Sequence, residues 1–134
     1  MTKRVAILLQ NLQGGGAERV MLNLAAGFAE AGWSVDLVVM RMEGELRGEV
    51  PAGPRLVSLG QCRTLNSVMP LVRYLRAERP DAIVSALPHV NIACVVAARL
   101  AGTRARVIVT EHNCVAADKV GAEYPLIRAA YRIA

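Results

Sequence analysis

The residues of this 134-residue chain best suited to do chemistry are three consecutive glycines, Gly14, Gly15 and Gly16, and its two histidines, His89 and His112. A glycine run ahead of a helix lets bare backbone approach a ligand, and its amides, at the positive end of the helix dipole, can receive a phosphate. One glycine suffices for a plain strand-to-helix turn, so three in succession ask for more than turning. The residues after the run exclude two phosphate-binding motifs. A Walker loop ends in Gly-Lys-Ser/Thr, whereas here the chain continues Ala17-Glu18-Arg19. The dinucleotide fingerprint needs a glycine where Arg19 stands and an acidic residue after the second strand, where Met40-Arg41 is found. A receiver-type phosphoacceptor needs acidic residues after the first and third strands, and Gln10-Asn11 and Gly60-Gln61 occupy those places.

His89 stands in Pro88-His89-Val90-Asn91 and His112 in Glu111-His112-Asn113. An imidazole can hold a ligand, move a proton or serve a structural hydrogen bond, and spacing alone leaves the ligand and structural readings of His112 open. Glu111 beside His112 reads either as an acid/base pair or as accidental neighbours on opposite faces of a strand end, and the alternation of side chains along a strand favours the second. No nucleophile stands beside a base, and His89, His112 and Cys114 match no common zinc spacing. Cys62, Cys94 and Cys114 are odd in number and widely spaced, which fits a reducing compartment better than a disulfide framework.

These residues must be positioned by the elements around them. Residues 5–9 form a continuous apolar run, the pattern of a strand buried on both faces of a parallel sheet. Ala17, Met21, Leu24, Ala25 and Phe28 recur at helical spacing, and Gly32 stands where that helix needs a left-handed cap. Residues 35–40 and 56–59 read as the second and third strands, separated by a Pro/Gly-rich loop over residues 43–54. A helix is expected over residues 67–79, with Pro70 in its first turn and Pro80 beyond its end. Residues 82–86 and 106–110 read as strands around an apolar helix over residues 90–101.

Strand–helix alternation of this kind predicts an α/β, doubly wound parallel sheet with helices on both faces. Ligands bind such sheets outside the carboxyl ends of the strands. Three loops qualify, residues 10–16, 87–91 and 111–113, and both histidines fall in them.

Composition narrows the partners. With 54% hydrophobic and 20% charged residues the chain is globular, and the length suits one domain. The apolar stretch at residues 92–98 is too short to span a membrane, and the apolar run near the N-terminus is too short for a signal peptide, so a cytoplasmic location is expected. The net charge of +5 suits phosphate-bearing ligands or anionic lipid. Nucleic acid is disfavoured by 4% aromatic content and arginines scattered over several elements. Residues 124–134 read as a helix with Arg128 and Arg132 four positions apart on one face, which would suit attachment to an anionic membrane surface. That helix lacks a capping glycine, so the chain reads as a piece of a longer protein.

The segment Asn11-Leu12-Gln13-Gly14-Gly15-Gly16-Ala17-Glu18-Arg19-Val20, followed by Gly32-Trp33-Ser34-Val35, resembles the opening of glycosyltransferase family 4. Arg79-Pro80-Asp81-Ala82-Ile83-Val84-Ser85 and Val107-Ile108-Val109-Thr110-Glu111-His112-Asn113 resemble later segments of that family, in the same order. The resemblance implies a Rossmann-like N-terminal, acceptor-side domain over residues 1–134 of a two-domain GT-B enzyme, without the C-terminal donor-binding domain. It implies retaining transfer of a sugar from a nucleotide-sugar donor to a glycan, lipid-linked or small-molecule acceptor, with no cofactor and no bound metal. By the same resemblance Gly14, Gly15 and Gly16 approach the donor diphosphate and His112 contacts the transferred sugar. His89, Asn91 and Asn113 would line the cleft on the acceptor side, and Arg19 would help hold the glycine loop. The residues by themselves leave a second reading open, a non-catalytic sugar- or nucleotide-binding α/β module.

Overall fold

A computed structural model describes residues 2–60 and 63–112. Five strands, β1 (Arg4–Leu9), β2 (Ser34–Val39), β3 (Arg55–Ser58), β4 (Ala82–Ala86) and β5 (Arg106–Thr110), form one all-parallel sheet in the order β3-β2-β1-β4-β5. Three helices connect them: α1 (Gly16–Glu30), α2 (Val68–Glu78) and α3 (Pro88–Ala101). The chain winds outward from β1 in one direction through β2 and β3, then returns to β4 and β5 on the other side. The strand order therefore reverses between β1 and β4, and the expected doubly wound sheet is the observed fold.

The pleat divides β1 between two cores. Ala6 and Leu8 face Val38, Met40, Leu71, Leu75, Val90 and Ala97 on the side covered by α2 and α3. Val5, Ile7 and Leu9 face Met21, Leu22, Ala25, Leu37 and Leu46 on the side of α1. Ile7, Leu8 and Leu37 are each 0% exposed, and burial of such side chains contributes about 1.5–3 kcal/mol apiece. A strand apolar on both faces is stable only between two such layers, which is why residues 5–9 read as a continuous apolar run.

Helix ends follow local chemistry. The chain leaves α1 through Ala31 and then Gly32 at φ +89, the left-handed position expected of that glycine. Pro70 lies in the first turn of α2, where its missing N–H has no helical partner to lose. Two expectations need correction. The apolar helix begins at Pro88 and not at residue 90, because a proline at the first helical position has φ already fixed near the helical value. His89 and Asn91 accordingly lie on the first turn of α3 and not in a loop. The Pro/Gly-rich stretch also contains a 3₁₀ turn, Glu45–Glu49, which buries Leu46 at 1% exposure under the α1 face. Asn113, Cys62, Cys114 and the expected helix with Arg128 and Arg132 lie outside the described residues.

Candidate active-site wall at the carboxyl ends of the strands

The topological reversal places the loop after β1 beside the start of α3, and a contact between side chains marks the junction. His89 Nε2 lies 2.8 Å from Gln10 Oε1, so the ring donates to the amide oxygen and carries a proton on Nε2. His89 is thus fixed at the switch point with its ring exposed.

The glycine turn is built from its neighbours inward. Asn11 is only 7% exposed, and its Oδ1 accepts from the backbone N–H of Gln13 at 3.1 Å, a side-chain turn that bends the chain away from β1. The Gly15 N–H donates to the Gln13 carbonyl at 2.8 Å, and Arg19 N–H closes the first turn of α1 on Gly15 O at 3.2 Å. Behind the loop, Leu12 N–H donates to Glu43 O and Leu46 N–H to Leu12 O, each at 2.8 Å. Gly44, at φ +124, sits so close that a Cβ there would overlap the backbone of Leu12 and Gln13. Asn11 and Gly44 therefore set the shape of the turn, although neither is an expected site residue. Asn11 carried a weak signal as a turn-forming residue at a strand end, whereas Gly44 was one glycine among several in a loop.

Gly14, Gly15 and Gly16 themselves have ordinary backbone angles, since the described glycines with positive φ are Gly32, Gly44, Gly53, Gly60 and Gly102. Conformational freedom is not their use; space is. Gly15 is the N-cap of α1 at φ −75 and ψ 160 and supplies no side-chain cap, so the first amides of the helix are left to face outward. A Cβ on Gly16 would meet nothing within 4 Å, and one on Gly14 would meet only Glu45 Oε2 at 3.4 Å. On Gly15 it would overlap the Glu18 carboxylate, the flexible end of a side chain in the same first turn. The turn is thus an open, uncapped helix start with a carboxylate on either side.

Arg19 lies in the first turn of α1 as expected, with its guanidinium paired to Glu49 at 3.2 Å across to the 3₁₀ turn, both side chains being 57% exposed. His112 follows β5. Thr110 Oγ1 donates its proton to the Ser85 carbonyl at 2.8 Å and so accepts from His112 Nε2 at 3.1 Å. The His112 proton therefore sits on Nε2, leaving Nδ1 as the acceptor. Asn91 departs from the role expected of it. It is 0% exposed, its Oδ1 accepts from Ser85 Oγ at 2.7 Å and its Nδ2 donates to Thr110 O at 3.0 Å. A polar side chain buried beside two strand ends takes its partners from them. Asn91 ties β4 to β5 beneath the cleft and does not line it. The neighbouring Cys94 thiol is pushed up to about 12 by burial, which removes it as a nucleophile at neutral pH. At the crossover itself Leu87 takes φ 78, a left-handed conformation uncommon for a branched residue, immediately before α3. No residue type or spacing around Leu87 marks this outlier.

The sequence profile of Glycosyltransferase Family 4 matches residues 14–134, from the glycine turn to the last residue. The chain belongs to that family. Among solved structures, MurG of Acinetobacter baumannii superposes with a TM-score of 0.70 at 20% identity, over 96% of this chain and 39% of that one. The lipopolysaccharide outer core galactosyltransferase WaaB in its apo form superposes with a TM-score of 0.64 at 13% identity, over 87% of this chain and 35% of that one. At these identities the likeness establishes the fold alone, a Rossmann-like domain of the kind found in these GT-B structures. The chain spans well under half the length of either structure. No curated protein sequence matches it. Among the described residues no helix is long and apolar enough to cross a membrane.

Proposed function

We propose that this chain is the N-terminal, acceptor-side half of a retaining glycosyltransferase that takes a sugar from a nucleotide-sugar donor without a bound metal. The observation that carries the reading is the uncapped start of α1 at Gly15, beside the reversal of strand order, in a chain of a glycosyltransferase family. Helix amides with no cap of their own are suited to a diphosphate, and the site lies where an open parallel sheet binds its ligands. The donor diphosphate would displace the Glu18 carboxylate from the face of Gly15. The exposed rings of His112 and His89 would then meet the transferred sugar and the acceptor. The acceptor is a glycan, a lipid-linked molecule or a small molecule, and most of the nucleotide pocket belongs to a C-terminal domain beyond this chain.

The test uses the complete protein. Gly15→Ala adds a methyl group at an ordinary φ and needs only Glu18 to swing aside, so folding tolerates it while the donor loses its approach. Both Gly15→Ala and His112→Ala are expected to lower transfer, read as kcat/KM at equal folded concentration, by about tenfold or more. Unchanged rates in both would defeat the site assignment. The 134-residue chain alone is expected to give no sustained donor-dependent product, and steady turnover by it would defeat the half-enzyme reading.

A further inference from the structure

Two concavities, of about 710 and 650 Å³, open at the amino ends of the strands, the end of the sheet remote from the glycine turn. The larger lies between the C-termini of α2 and α3 and is lined by Arg76, Arg79, Arg104 and Asp81, three positive charges against one negative. The smaller shares Arg79 and Asp81 with it and adds Lys3 and Arg4. Helix C-termini are negative ends that repel anions, and at α3 that repulsion is answered by a cation. Arg76 Nη2 donates to the Leu100 carbonyl at 2.9 Å, closing over the last turn of α3. Asp81 is also engaged, its Oδ2 accepting from the Arg4 backbone N–H at 2.8 Å. Glu78, on the rim of the smaller concavity, is held by Arg4 at 2.6 Å and Arg55 at 3.2 Å.

Arg79 and Arg104 remain. Among the described residues neither guanidinium has an ion pair or side-chain hydrogen bond. Arg79 is also the C-cap of α2, in the left-handed conformation at φ 46 and ψ 58, where glycine or asparagine is the unstrained residue. An arginine held at such a position, at the junction of two concavities, needs a reason beyond ending a helix that Pro80 ends already.

We propose that Arg79 and Arg104 form a second anion site, distinct from the glycine turn, for a ligand with adjacent phosphate groups. The ligand is either a free diphosphate or a multiply phosphorylated headgroup. A volume of about 710 Å³ takes more than one phosphate, and guanidinium forks match phosphate oxygens bidentately.

The experiment titrates inorganic pyrophosphate into the isotope-labelled 134-residue chain at physiological ionic strength, following backbone amide resonances. The expected result is a saturable shift at Arg79, Asp81 and Gly102 to Arg104, separate from any shift at Gly14 to Glu18. Arg79→Gln and Arg104→Gln are each expected to weaken it about tenfold. Arg104 lies in an exposed turn between α3 and β5, so Arg104→Gln remains informative if Arg79→Gln perturbs folding. Sedimentation with phosphatidylcholine vesicles containing a bisphosphorylated lipid separates the two sources. Capture of the wild type but not of Arg104→Gln assigns the headgroup, and saturable pyrophosphate binding without capture assigns a free ligand. Absence of a saturable shift at these amides with millimolar pyrophosphate overturns the proposal. So does confinement of the shifts to the glycine turn, or unchanged affinity in Arg104→Gln.

Discussion

At the amino ends of the strands, Asp36 on β2 is 1% exposed and accepts from Arg55 Nε at 3.0 Å, Arg55 Nη2 at 2.9 Å and the Tyr74 hydroxyl at 2.7 Å. Glu78, bonded to both Arg55 and Arg4, extends this network across α2 to β1 and β3. At the carboxyl ends, the amides of α1 have no side-chain cap, and Glu18 and Glu45 lie against the glycines without filling them. At one end of the sheet Asp36 and Glu78 are paired with Arg4, Arg55 and Tyr74 and hold α2 to three strands; at the other, helix amides face an open surface. Polar groups bonded to one another within the protein fix a structure, whereas exposed helix-end amides bonded only to water can exchange it for a ligand. The comparison predicts that stability and transfer can be damaged separately, by substitution at opposite ends.

The largest effect would break that separation. Gly44 lies at the carboxyl end, yet Gly44→Ala combines a strained φ of +124 with a Cβ driven into the backbone of Leu12 and Gln13. It is expected to cost about 3 kcal/mol in urea-induced unfolding and to abolish transfer in the complete protein. A loss below about 1 kcal/mol would mean that the segment behind the glycine turn gives way easily and does not shape it.

Asp36→Asn tests the other end. It leaves the Arg55 fork facing an amide and weakens the acceptor of a buried phenol. Because Arg55 is 51% exposed, water recovers part of the loss, and the expected cost is about 2–3 kcal/mol. At equal folded concentration kcat/KM for transfer should be unchanged, and a parallel fall would show the two ends to be coupled.

Tyr74→Phe is smaller, about 1 kcal/mol at neutral pH, and adds a pH signature. Burial, with the hydrogen bond to Asp36 as the next cause, raises the Tyr74 phenol well above its ordinary value of 10.0. Because the folded value is the higher, this contribution is fully present below pH 10.0 and is lost as pH rises beyond it. Cys94, raised by burial from 9.0 to about 12, follows the same sign from a lower starting point. In a Cys94→Ala background, unfolding midpoints of the parent protein should fall above pH 10 more steeply than those of Tyr74→Phe. Parallel slopes would show that the phenol is not held neutral by its surroundings.

The two ends were also unequally legible in the sequence. Apolar runs and helical spacing located the five strands and three helices of the described residues, because burial on both faces leaves a periodic trace in the chain. The turn chemistry left less. Pro88 was readable as a helix start only once α3 was known to begin there, and the 3₁₀ turn over Glu45–Glu49 was hidden in a stretch that reads as loop. Asn91 shows the limit most clearly. A polar residue beside a strand end reads as a ligand contact, and only the positions of Ser85 and Thr110 in space make it a tie between strands. The Asp36 network escaped for the same reason, since its partners are 19 and 38 residues away along the chain.

The smallest expected effect sharpens what holds the glycine turn. Arg19 follows the glycines closely enough to suggest that it clamps them, and its guanidinium does reach Glu49 on the 3₁₀ turn behind the loop. Both partners are 57% exposed, and a solvated pair of that kind contributes at most about 0.5 kcal/mol. The backbone bonds from Leu12 to Glu43 and from Leu46 to Leu12, with Gly44 pressed between them, already fix the same two segments. Arg19→Gln should therefore change stability by less than about 0.5 kcal/mol and donor KM by no more than about twofold. A tenfold rise in donor KM with unchanged stability would instead assign Arg19 to the binding of the donor and not to the frame of the turn.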